Sequence, residues 1–124
     1  DELAALTNML GLIGQQSPGK ALSQLGRIYQ INPSLAPVAA QMAMIHARLG
    51  DNANALRFMT EAAAIEPRNA SFQINLAIMN DHAGNRDAAI RAYEQALAAA
   101  AGSSQALPLT AEAIRERLKY LRAN

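Results

Sequence analysis

Apolar residues recur along this chain at spacings of three and four, the period that gathers side chains on one face of a helix. Leu3, Leu6 and Leu10 form the first such stripe; Met42, Ile45 and Leu49 form another. Ala55, Met59 and Ala62 make a third, and Ile74 with Ile78 a fourth, flanked by Leu76 and Met79. Strand-type alternation of Val, Thr and aromatic residues is absent, so the pattern predicts an all-helical protein. Gly50–Asp51 breaks one helix and caps the next, because glycine tolerates left-handed dihedrals and aspartate accepts from orphan amides. Pro67 cannot extend the preceding helix and disfavours helical dihedrals at Glu66.

The stretch Leu49–Pro67 repeats. Shifted back by 34 residues, Ala55 falls on Ala21, Leu56 on Leu22, Met59 on Leu25, Ile65 on Ile31 and Pro67 on Pro33. Shifted forward by 34, Gly50 falls on Gly84, Ala55 on Ala89, Met59 on Tyr93 and Ala62 on Ala96, again without a gap. A fixed period of this length marks a stacked repeat protein. Each unit reads as helix, turn, helix, with internal turns at Gln15–Gly19, Gly50–Asn52 and Gly84–Arg86. Asn32–Ser34 and Glu66–Asn69 are the turns between units. After Ala101 the repeat fails; Gly102, Ser103 and Ser104 connect to Pro108 and to a last helix, about Thr110 to Arg122. Thr110 is its expected N-cap. Ala111, Ile114, Leu118 and Leu121 form its apolar stripe, with Arg115, Lys119 and Arg122 opposite, as expected of a helix that closes the last unit.

The 34-residue unit resembles the tetratricopeptide repeat. The second helix carries the family's small, large, small and proline positions at Ala55, Met59, Ala62 and Pro67. The same positions hold Ala21, Leu25, Ile28 and Pro33 in the first unit, and Ala89, Tyr93, Ala96 and Ala101 in the third. The first helix departs further: the tryptophan position holds Ala5, Ala39 and Gln73, and the tyrosine position holds Leu12, His46 and Asn80. The resemblance implies an α-α superhelix, a right-handed solenoid of about seven helices. It implies one domain over 1–124, with repeats at about 2–35, 36–69 and 70–103 and a capping helix at about 109–122.

In such arrays the first helix of each unit lines a concave groove. Carried over, that groove is lined by Leu6, Leu10 and Ile13, then Ala40, Gln41, Met44 and Arg48, then Ile74, Asn75, Ile78, Asp81 and His82. The subgroup that clamps acidic peptide C-termini uses cations where this chain has Leu6, Leu10, Gln41, Ser71 and Asn75, so that clamp is not expected. The remaining strip is mostly apolar and suits an amphipathic helix or extended apolar peptide of a protein partner. The alternatives are that Leu6, Ile74 and Ile78 pack inside the array, or that the module self-associates as a segment of a longer repeat protein. Modules like this occur in bacterial pilus and secretion assembly factors and secretion chaperones.

Composition changes little. The chain has 124 residues, 51% hydrophobic and 17% charged, a packed chain and not a disordered one. A net charge of +1, with no basic run interleaved with aromatics, gives no expectation of nucleic-acid binding. With no cysteine, disulfides, thiolate metal sites and a cysteine nucleophile are excluded. No apolar run reaches membrane-spanning length. The chain starts at Asp1 and not at Met, as a fragment or processed form would. His46 and His82 have no ligand partner at metal spacing, the serines lie in no nucleophile elbow, and no paired carboxylates stand in apolar surroundings. The expectation is a non-enzyme with no cofactor and no metal.

Overall fold

Seven α-helices account for the regular structure of the described residues in the computed structural model, which describes residues 2–14, 17–102 and 106–123. They are α1 (Glu2–Gly14), α2 (Pro18–Ile31), α3 (Ala36–Arg48), α4 (Asn52–Ile65), α5 (Ala70–His82), α6 (Arg86–Ala100) and α7 (Ala111–Ala123), with no strand among the described residues. The helix count and the all-α class agree with the sequence pattern. The connection at Ser103 and Ser104 lies outside the described residues.

Local chemistry sets each boundary. Asp51 caps α4: its carboxylate accepts from the Asn54 backbone N–H at 3.3 Å and from the Asn54 amide at 2.7 Å. Asn69 caps α5 through the Phe72 N–H, and Thr110 caps α7 through the Ala113 N–H, both at 3.1 Å. These bonds satisfy donors that a helix start otherwise leaves to water. Pro18 and Pro37 open α2 and α3 in their first turns, where a missing N–H costs nothing. The expected turn Gln15–Gly19 is therefore shorter than predicted at its far end. Pro18 is already helical and Gly19 lies inside α2, while Gln15 and Gln16 lie outside the described residues.

Two turns are built identically. Gly50 has φ 80°, its N–H donates to the Ala47 carbonyl at 3.1 Å, and the Asp51 N–H donates to the His46 carbonyl at 2.9 Å. Gly84 has φ 81°, its N–H donates to the Asp81 carbonyl at 3.1 Å, and the Asn85 N–H donates to the Asn80 carbonyl at 2.9 Å. This paired bonding is the Schellman arrangement, which needs a left-handed residue after the helix. The repeat seen in the sequence is thus a repeat of backbone hydrogen bonds.

The chain forms two compact units, residues 1–62 and 63–124. In the first, α2 packs against α3, and α1 against both. Its buried side chains are mostly small: Ala21, Ala36, Ala39, Ala40, Ala43 and Ala55, filled out by Leu25, Val38, Ile45 and Met59. Phe58 anchors an aromatic cluster. The His46 ring stacks on it at 5.6 Å between centroids, Tyr29 meets it edge-on at 5.6 Å, and the Arg57 guanidinium lies 4.6 Å from its centroid. His46 Nδ1 also lies 3.4 Å from the Asp51 carboxylate, so the half-buried histidine at the tyrosine position is packed and partnered.

In the second unit α5 packs along α6, and α7 packs on α6. Ile74, Ala77, Ala89, Ala92, Tyr93 and Ala96 form one core with Ile114, Leu118 and Leu121 of α7. The last helix closes this core as its apolar stripe predicted, and Ala89 and Ala96 are small where helices meet closely. Two amides stand where the family has aromatics, and both are satisfied. The Gln73 amide donates to the Pro67 carbonyl at 3.0 Å. Asn80 donates to the Leu76 carbonyl and accepts from the Asn85 amide, each at 3.1 Å, so burial leaves no orphan amide.

Candidate functional site

Counting from Glu2, Ala36 and Ala70, the first helices present equivalent positions whose burial falls along the helix. At the fifth position Ile74 and Ala40 are buried, and Leu6 is half-buried. At the sixth, Gln41 and Asn75 are half-buried. At the ninth, Leu10 and Ile78 are half-buried and Met44 is 41% exposed. At the thirteenth, Arg48 and His82 are exposed, each the last residue of its helix. The side chain of Ile13 lies outside the described residues, as does that of Leu3.

Two of the residues expected to meet a partner are not available to one. Ile74 is 0% exposed and belongs to the core that α7 completes, so it is a packing residue. The reason is register: Ile74 sits one position before Asn75, on the side of α5 turned to α6 and α7, where apolar area gains most by leaving water. Asp81 is occupied. Arg117 of α7 grips its carboxylate with two hydrogen bonds of 2.7 Å, and the Tyr93 hydroxyl donates a third at 3.1 Å. Ile78 is intermediate, half-buried and packed against the same core. Leu6, Leu10, Gln41, Met44, Arg48, Asn75 and His82 keep at least part of their surface.

Asp81, Tyr93 and Arg117 form one hydrogen-bonded polar cluster in the second unit. The paired hydrogen bonds from Arg117 hold the Asp81 carboxyl below the usual carboxylate range. Burial, then the hydrogen bond to Asp81, pushes the Tyr93 hydroxyl up to about 12. The Asp81 hydrogen bonds also raise Arg117 above its ordinary value. The Asp81 side chain is only 9% exposed, so solvent screens the pair weakly on that side. The cluster fixes α7 to α5. Two further contacts assist: Arg86 Nε donates to the Leu121 carbonyl at 2.8 Å, satisfying a carbonyl near the end of α7, and Arg122 pairs with Glu94. Arg117 was legible in principle. It stands three residues after Ile114 and four before Leu121, at the edge of the apolar stripe, and not on the basic face of Arg115 and Lys119.

No group of three metal-ligating side chains occurs among the described residues, and no helix among them is long and apolar enough to cross a membrane. In the first unit the partly exposed first-helix positions run along α3 from Gln41 through Met44 to Arg48, with Leu10 of the adjacent α1 in the register of Met44.

The sequence profile described as tetratricopeptide repeat matches residues 36–69. No curated protein sequence matches the chain. Among solved structures, the chain is similar to the Yersinia enterocolitica type III secretion translocator chaperone SycD, with a TM-score of 0.80 at 12% identity, over 95% of this chain and 83% of that one. It is similar to PcrH, solved in complex with the chaperone binding region of PopD, with a TM-score of 0.75 at 20% identity, over 98% of this chain and 90% of that one. It is also similar to the Sgt2 TPR domain from Aspergillus fumigatus, with a TM-score of 0.66 at 16% identity, over 86% of this chain and 66% of that one. At these identities the likeness shows the fold. Residues 36–69 match the tetratricopeptide-repeat profile, and the chain shares the all-helical repeat fold of these solved structures.

Proposed function

We propose that the protein is an interaction scaffold whose first-helix surface holds an apolar or amphipathic peptide segment of a protein partner. The observation that carries this is Met44, an apolar side chain 41% exposed at the ninth position, between half-buried Gln41 and exposed Arg48. Methionine is unbranched and polarisable, so it adapts to the irregular side chains of an incoming segment. Apolar anchors on a peptide repeat every second residue when extended, or every three to four when helical, and either spacing can place one over Met44. On this reading the protein works by binding and not by catalysis.

The finer placement we propose is a chaperone-like role in a bacterial secretion or envelope-assembly system. It is supported by the likeness to SycD and to PcrH, the latter solved with a region of PopD. A second reading, self-association, is favoured by Leu12, 65% exposed on α1 near the exposed Met9. The experiment that separates the two compares Met44→Glu with Ile31→Glu, since Ile31 is 85% exposed at the end of a second helix. Both variants keep native helicity by circular dichroism. Loss of partner co-purification in Met44→Glu alone supports the scaffold reading. Equal retention in both, with a change of mass in light scattering for Leu12→Glu, supports the second.

A further inference from the structure

The contact surface of α3 carries charge at one end only. Arg48 follows Met44 by one turn on the same face, is exposed, and no carboxylate among the described residues pairs with it. The nearest carboxylate in sequence, Asp51, is engaged by the Asn54 amide and backbone and by His46. An exposed guanidinium side chain thus follows an exposed methionine by one helical turn. In the third repeat the same position holds His82, also exposed and also basic.

We propose that Arg48 is a specificity-determining residue, selecting partner segments that carry an aspartate or glutamate one turn, or two extended residues, from the apolar anchor seated on Met44. This rests on the scaffold reading above. Charge complementarity argues for it: the Arg48 guanidinium offers two parallel N–H donors that both oxygens of a partner carboxylate accept, whereas a glutamine on the partner offers one acceptor and no charge, and a lysine there repels. Desolvation of the apolar anchor over Met44 brings the acid out of bulk water, where the pair gains strength. A purely structural role for Arg48, as a cation near the C-terminal end of the α3 dipole, predicts a stability effect and no partner preference.

The test is an array of synthetic peptides in which leucine or methionine anchors at spacings from two to four residues are flanked by glutamate, glutamine or lysine, probed with wild type, Arg48→Gln, Arg48→Lys and Met44→Glu. Wild type prefers glutamate over glutamine flanks by about fivefold, the scale of a partly exposed ion pair, and the preference shrinks in high salt. Arg48→Gln binds the glutamine-flanked peptides as wild type does and loses the preference, Arg48→Lys recovers part of it, and Met44→Glu weakens binding to every flank. Glutamate and glutamine flanks bound equally by wild type, or a preference that survives Arg48→Gln, overturns the role of Arg48 while Met44→Glu still reports on the scaffold. No binding by wild type above the Met44→Glu background overturns both.

Discussion

Individual residues decide which part of the first-helix surface is free, and Ile74 and Asp81 are the instructive pair. The resemblance puts both in the groove, yet one is core and the other anchors α7. Ile74→Ala empties a fully buried site and costs about 2–5 kcal/mol in chemical denaturation. Tyr93→Phe removes one hydrogen bond and costs about 1 kcal/mol. The pH dependence follows from the direction of each shift. The Asp81 carboxyl is depressed, so its contribution is present above the ordinary carboxylate range and is lost as pH falls through its lower folded value. The gap in melting temperature between wild type and Asp81→Asn is therefore full at neutral pH and closes in acid; a gap that stays constant contradicts the cluster. The Tyr93 hydroxyl is raised, so wild type loses stability relative to Tyr93→Phe as pH climbs from 10.0 towards about 12.

Among the elements, the internal turns tie sequence to structure most closely. Gly50 and Gly84 both take left-handed φ, and a Cβ added at either would meet nothing within 4 Å. The cost of Gly50→Ala or Gly84→Ala is thus backbone strain alone, about 1–2 kcal/mol in thermal or chemical melts, with the fold retained. A neutral outcome at both positions would show that the turns are held by other means. The turns, the Asp51 and Thr110 caps and the α7 stripe were legible because each rests on chemistry within a few residues. The identity of the core face on α5 was not. Ile74 and Ile78 share a period and a residue type, and their different burial is set by α6 and α7, which no local pattern describes. The pairing of Asp81 with Arg117 spans 36 residues, and only the apolar spacing around Arg117 hinted at it.

The whole chain shares its fold with SycD and PcrH, at 12% and 20% identity. Repetition is visible in the packing: the equivalent small residues Ala21, Ala55 and Ala89 are all buried. Along the first helices the ninth and thirteenth positions vary, with exposed Met44 and Arg48 forming the surface proposed for contact on α3, while the fifth position stays small or apolar at Leu6, Ala40 and Ile74. The central claim is that a partner segment lies on that surface. Its most direct measurement is photo-crosslinking from single positions, with a benzophenone side chain placed at Met44, at Gln41, at Ile31 or at Arg115 in the cells that make the protein. The account predicts one crosslinked partner from positions 44 and 41 and none from 31 and 115. Crosslinks to the same partner from 31 or 115, with none from 44, would contradict it.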